Sequence, residues 1–209
     1  MTIIYHWLFL ATSLIYLALL PFDPLPVTWL LKMLPIAVLF FAVFKGFPFS
    51  GRILVLLALF FSACGDVLLQ FDFFVPGVAA FLVAQLNYGV FFARHWSSAH
   101  TRWPISTMAI GYMLVMAFLL TPHLGDLIAP VFAYLVVIGF MGILATHSTL
   151  PIKWAVLGAF VFILSDSFIA IDRFLRPLPF SSYLIMITYY AAQWMIIQGA
   201  LNKYKQYKS

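Results

Sequence analysis

Asp66 and Asp166 are the residues of this chain with the clearest capacity for chemistry. Each stands in an apolar run long enough to cross a membrane. A carboxylate there costs at least about 2.5–3.5 kcal/mol unless it pairs or faces a polar cavity. The two runs are also related. Residues 57–74, LALFFSACGDVLLQFDFF, align without a gap on residues 157–174, LGAFVFILSDSFIAIDRF, with identities at Leu57/Leu157, Phe60/Phe160, Asp66/Asp166, Asp72/Asp172 and Phe74/Phe174. Two carboxylates at equivalent positions of two related helices form a candidate acid/base pair. The plain alternative is a structural ion pair with Lys32 or Arg173. Two acids and one buried base leave a carboxylate in excess, and at low dielectric one acid then tends to keep its proton. A protonated acid beside an ionised one is what general acid/base catalysis needs.

Rival chemistries lack their residues. Cys64 is the only cysteine, so no internal disulfide and no CxxC metal or redox motif can form. The histidines, 6, 95, 100, 123 and 147, fall near the N-terminus, in loops or at helix ends, away from the depth of the two acids. A zinc site wants several His or Cys ligands, so no metal is expected. Ser62, Ser165 and Ser167 have no histidine at their depth for a Ser-His-Asp triad. Glycine-rich nucleotide signatures are absent, and no cofactor is expected.

The elements that position the acids follow from composition. Of 209 residues, 65% are hydrophobic and 8% charged, against roughly 25% charged in soluble domains. Apolar runs of about 17–20 residues suit helices rather than the ten-residue alternation of barrel strands. The expected fold is an all-α polytopic membrane protein, a single domain of eight transmembrane helices over roughly 3–20, 27–44, 52–70, 75–93, 104–121, 127–145, 153–172 and 181–201. The match between 57–74 and 157–174 suggests two parallel four-helix repeats, an arrangement that puts sites at the repeat interface. The short connections PFDPLP (21–26), KGFPFSG (45–51), TPHLGD (121–126) and RPLPFSS (176–182) carry turn residues and make neighbours antiparallel. The apolar N-terminus, with no basic segment and no clear cleavage site, reads as a retained first helix.

Lys and Arg set the orientation. Lys45, Arg52, Arg94, Arg102, Lys153, Lys203, Lys205 and Lys208 gather on the side of both termini, and only Arg173 and Arg176 on the other. The expectation is N-in and C-in, in an inner or plasma membrane. The net charge of +5 serves topology and contact with anionic lipid, not nucleic acid. Asp66 and Asp166 then lie about four residues, roughly 6 Å, below the outer end of their helices. Lys32 reaches a similar depth from span two. It either snorkels to the interface or serves as a phosphate contact or counter-charge for an Asp. Arg173 is a solvated loop charge or an anchor for a lipid phosphate; Asp172 beside it is placed to orient it, and Asp72 to cap a turn. Gln85, Asn87 and Tyr88 on span four and Tyr189, Tyr190 and Gln193 on span eight bring polar groups beneath the acids. Tyr189 and Gln193 share a helix face. These are interhelical hydrogen bonds or the lining of a pocket.

At these residues the sequence resembles the YhhN-like lysoplasmalogenases, a family of eight-helix membrane enzymes. The resemblance is carried by Lys32-Met-Leu-Pro35, Gly65-Asp66-Val-Leu-Leu and Gln85-Leu-Asn-Tyr88. It is most specific in Leu164-Ser165-Asp166 with Ile169-Ala-Ile-Asp172-Arg173-Phe174, and in Thr188-Tyr-Tyr-Ala-Ala-Gln193. It implies hydrolysis of the vinyl ether bond of a lysophospholipid to a fatty aldehyde and glycerophosphocholine or glycerophosphoethanolamine. Protonation of the β-carbon makes an oxocarbenium ion, a problem that glycosidases solve with paired carboxylates. Asp66 and Asp166 are the expected catalytic pair, with the acid unassigned. Lys32, Asn87, Tyr88, Asp172, Arg173, Tyr189, Tyr190 and Gln193 are the expected substrate-binding residues. The alternative is a proton- or lipid-coupled transporter using the same acids, which would need access from both faces, whereas the charges cluster on one. A non-catalytic membrane scaffold is a third reading.

Overall fold

A computed structural model describes residues 3–22, 26–47, 49–98 and 102–206. Asp23, His100 and Lys208 lie outside the described residues, as does the middle of the 21–26 connection. Among the described residues, eight helices are long and apolar enough to cross a membrane. They are α1 (Ile3–Leu19), α2 (Thr28–Gly46), α3 (Phe49–Gln70), α4 (Phe74–Ala93), α5 (Trp103–Leu120), α6 (Ile128–Thr146), α7 (Leu157–Ala170) and α8 (Ser181–Gln206). With no water in the hydrocarbon core to satisfy backbone groups, each apolar run closes its own hydrogen bonds as a helix. The expected spans agree with these helices to within a few residues, save that α8 runs on to Gln206 and span seven is compound. There α7 is flanked by two wide π-helical turns, Ile152–Val156 and Ile171–Leu175. Such turns are frequent at functional sites, and the second one holds Asp172 and Arg173.

Consecutive helices pack on one another from α1 to α4 and from α5 to α8. The most extensive interfaces are α3 on α4, α7 on α8 and α4 on α6, while α2 and α8 also meet. The helix limits recur at a spacing of 100: Ile3 and Trp103 open α1 and α5, Thr28–Gly46 corresponds to Ile128–Thr146, and Gln70 and Ala170 end α3 and α7. The equivalent rings of Phe74 and Phe174 touch edge to face at 5.6 Å between centroids.

Local chemistry sets the turns. Asp72, at φ 59°, closes α3 in a left-handed conformation that Asp tolerates. The Phe73 amide donates to the Leu68 carbonyl and the Asp72 amide to that of Leu69, the paired bonds of a Schellman ending. The turn is tight enough for α4 to fold straight back along α3. Gly65 makes that approach possible, since a Cβ there would lie 2.5 Å from the Phe81 ring. Between α7 and α8, a Cβ on Gly158 would lie 2.9 Å from the Ile196 backbone nitrogen.

At the end of the bundle remote from the two acids, the turns after α4 and α6 are pinned together. The Ser97 amide donates to the His147 carbonyl and the Thr149 amide to that of His95. His147, at the end of α6 as expected, is buried. It lies 2.9 Å from the Ser106 hydroxyl, stacked on Trp96 and against Trp103. Aromatic cover and a hydroxyl partner satisfy both the ring's apolar body and its polar edge.

Candidate active site

Asp66, on α3, is 3% exposed and held by two helices. The Lys32 ammonium, from α2, stands 3.7 Å from Oδ1. The Tyr189 hydroxyl, from α8, donates to Oδ2 at 2.7 Å. Lys32 therefore serves as a counter-charge and does not snorkel away. Its position is fixed from behind. Pro35 cannot donate a backbone hydrogen bond, so α2 is loosened at this turn, and Tyr190 donates to the Lys32 carbonyl at 2.8 Å. Neighbouring tyrosines on α8 thus clamp the acid and the base from one side.

Asp166, on α7, has a different partner. The Tyr134 hydroxyl, from α6, donates to its Oδ2, and the Gln85 amide on α4 approaches the same hydroxyl at 3.5 Å. The two carboxylates have separate partners. They are bridged by different helices, α2 and α8 around Asp66 and α6 around Asp166. Tyr134 was missed in the sequence. The available signal was a lone phenol in an otherwise apolar span, about as deep below the α6 start as Asp166 is below the α7 end.

One helical turn further in, Tyr88 donates to Gln193 Oε1 at 2.6 Å and Gln193 donates to Ser62 Oγ at 3.0 Å. All three residues are fully buried. Because Gln193 lies four residues from Tyr189, and Ser62 four from Asp66, this second layer braces the helices that carry the first. Two expected residues have their hydrogen-bond partners outside this cluster. Asn87 donates to the Val83 carbonyl of its own helix and does not join the cluster. Asp172 accepts the Leu178 amide at 2.7 Å, closing the turn into α8 rather than orienting its neighbour. Arg173 lays its guanidinium 4.0 Å from the centre of the Phe74 ring, a cation–π contact that fixes the charge above the acids.

Two cavities meet at this cluster. One is apolar: Phe81, Met116, Ile138 and Phe174 are among its walls, and Asp166 and Tyr134 supply its ionisable groups. The second is polar, lined by Lys32, Arg173, Asp172, Gln70 and Ser182 among others. Leu69, Phe74 and Ile169 line both. A polar chamber carrying two cations beside an apolar one with a carboxylate in its wall matches an amphiphile with an anionic head and a hydrocarbon chain.

Comparison with known proteins points the same way. A profile of the YhhN family matches residues 27–200. The chain is 35% identical to lysoplasmalogenase TMEM86A of Bos taurus, over 93% of this chain and 87% of the relative. It is 33% identical to lysoplasmalogenase TMEM86B of Homo sapiens, over 94% and 87%. A lysoplasmalogenase of Mycobacterium tuberculosis is 34% identical over 68% of this chain and 58% of its own length. No solved structure matches.

Proposed function

The chain belongs to the YhhN family, and on that premise we propose that it is a lysoplasmalogenase. It hydrolyses the vinyl ether bond of an alkenyl lysophospholipid, yielding a fatty aldehyde and glycerophosphocholine or glycerophosphoethanolamine. The observation that carries the assignment to this site is the place of Asp166, a carboxyl group in the wall of an apolar cavity that adjoins a chamber with Lys32 and Arg173.

In this reading Asp166 is the acid. Tyr134 occupies one of its oxygens, which leaves the other to carry and deliver a proton. That proton goes to the β-carbon of the vinyl ether, and the α-carbon becomes an oxocarbenium centre. Asp66, facing the Lys32 ammonium, is the ionised partner, and its negative charge steadies the cation through a medium of low dielectric. Water adds to the α-carbon and returns a proton to the Asp166 carboxylate, the acid turning base as in glycosidases. The hemiacetal then collapses to the aldehyde and the glycerol hydroxyl. Lys32 and Arg173 hold the phosphate, as an ammonium and a guanidinium can, and the hydrocarbon chain lies in the apolar cavity.

Two parallel four-helix repeats, α1–α4 and α5–α8, underlie this site in our reading. The recurrence of helix limits at a spacing of 100 and the contact of Phe74 with Phe174 support it. The corresponding helices α2 and α6 then give one acid a cation, Lys32, and the other a phenol, Tyr134. The charge bias of the loops supports N-in and C-in termini, with the site toward the outer leaflet of an inner or plasma membrane.

The test is aldehyde release from the purified protein given an alkenyl lysophospholipid. Asp166→Asn should abolish turnover, and Asp66→Asn should reduce it by about 100-fold or more, the scale of a lost electrostatic stabiliser. Turnover in both variants at the unaltered rate would remove the mechanism, and an inactive unaltered protein would remove the function.

A further inference from the structure

A third cavity opens on the lipid side of the bundle. It is a groove between α5 and α7, lined by Ile105, Met108, Ala109, Tyr112 and Met113 on one side and by Phe160, Ile163 and Leu164 on the other. The spacings on both helices, three and four residues, place each set on a single helix face. The groove exists because α5 stands off: its principal partners are α6 and the Ile171–Leu175 turn, and the straight part of α7 is not among them. Met108, Tyr112 and Leu164 are exposed along it, and nearly all of its lining is apolar.

The groove adjoins the apolar chamber of the active site. Met113 and Ile163 line both. At the same place Tyr112, a groove residue, donates to Ser167 Oγ at 2.7 Å, and Ser167 lines the inner chamber next to Asp166 in sequence. A methionine and an isoleucine, with one interhelical hydrogen bond beside them, stand between the lipid-facing groove and the chamber. Methionine is unbranched and readily re-packs, so it suits a position where a chain must pass.

We propose that the α5–α7 groove is a lateral portal, with Met113 as its gate, through which the hydrocarbon chain of the substrate enters from the bilayer and the fatty aldehyde leaves. The proposal rests on the lysoplasmalogenase reading given above. The occupant follows from the wall shared with the chamber and from the split of the products. The glycerophospho-base is polar and has the chamber of Lys32 and Arg173 as its exit. The fatty aldehyde is mostly hydrocarbon chain, and a route through water would expose all of that chain. The groove lets it slide into lipid without leaving apolar surroundings.

Two measurements test this. Met113→Trp should slow hydrolysis of a long-chain alkenyl lysophospholipid by about tenfold, roughly 1.4 kcal/mol of barrier, and slow a short-chain analogue markedly less. Separately, a long-chain lysophospholipid with a diazirine at the chain end should label Met108 or Leu164, and excess unlabelled long-chain substrate should suppress that labelling. The labelling requires no turnover, so it stands even if the activity assay fails with the unaltered protein. Equal effects of Met113→Trp on both chain lengths, or labelling that substrate does not displace, would overturn the portal and leave the groove as a seat for ordinary bilayer lipid.

Discussion

Asp66 and Asp166 are alike in sequence position and unlike in surroundings. Among the described residues, Asp66 faces a cation and a phenol, Asp166 a phenol alone. In a medium of low dielectric that difference decides which carboxyl group can hold a negative charge, and so divides the roles of ionised stabiliser and proton donor in the proposed reaction. Tyr134 is then a positioning residue, holding one oxygen of Asp166 so that the other points at substrate. Tyr134→Phe keeps the ring and removes the hydroxyl. A hydrogen bond to a charged or strongly polar group contributes about 1.5–3 kcal/mol, so kcat should fall by roughly 10- to 100-fold with KM unchanged, in a protein that melts within a few degrees of the original. A rise in KM at constant kcat would instead place Tyr134 in substrate binding. The paired acids were legible in the sequence because a charge in an apolar run is expensive and therefore conspicuous. Tyr134 was not, because tyrosines are common in membrane helices and only the packing of α6 beside α7 brings it to Asp166.

At the scale of the helices, close approach decides whether the site assembles. α8 carries Tyr189, Tyr190 and Gln193, and it can reach α2 and α3 only from its seat on α7. That seat depends on Gly158, where an added Cβ would lie 2.9 Å from both the Ile196 nitrogen and the Met195 Cβ. Backbone and Cβ atoms cannot swing aside as a side-chain tip can. Gly158→Ala should therefore push the helices apart and cost about 1–3 kcal/mol, the usual penalty of overpacking, with a lower melting temperature in detergent and reduced turnover. Gly111, on α5, is the contrasting case: a methyl group added there would have nothing within 4 Å. Gly111→Ala should be neutral or stabilising by about 0.5–1 kcal/mol, as expected for removing a helical glycine. Equal melting shifts in the two variants would show that α7–α8 contact is not the sensitive element. The helices themselves were readable as apolar runs. The π-helical turns at both ends of α7 were not, since a one-residue change in hydrogen-bond register leaves no mark on hydropathy.

For the whole molecule, the two chambers and the lateral groove give an amphiphile three surroundings: a polar one with cations, an apolar one with an acid, and a way out to lipid. The sidedness of this arrangement can be measured. In a Cys64→Ser background, a cysteine replacing exposed Phe180, in the turn before α8, should react with a membrane-impermeant maleimide on intact cells. One replacing Ser98, in the turn after α4, should react only after lysis. The reverse pattern would turn the protein over and move the site to the inner leaflet. Both positions are exposed and neither contributes to the cluster around the acids.

Composition and residue order alone determined the solvent, the number of spans, the eight-to-two bias of basic residues and the pair of acids at matching positions. These are one-dimensional properties: hydropathy sums along the chain, and a misplaced charge stands out in its own neighbourhood. Tertiary structure decided the rest. It paired Lys32 with Asp66 and Tyr134 with Asp166, turned Asn87 onto its own helix and set Asp172 to closing a turn. It also opened an apolar chamber at one acid and a polar one at Lys32 and Arg173. The physical reason is that a partner in a hydrogen bond or ion pair comes from another helix, at a rotation and depth fixed by packing. Residues 32 and 66, 134 and 166, or 88 and 193 have no reason to meet until glycines and tight turns bring their helices together.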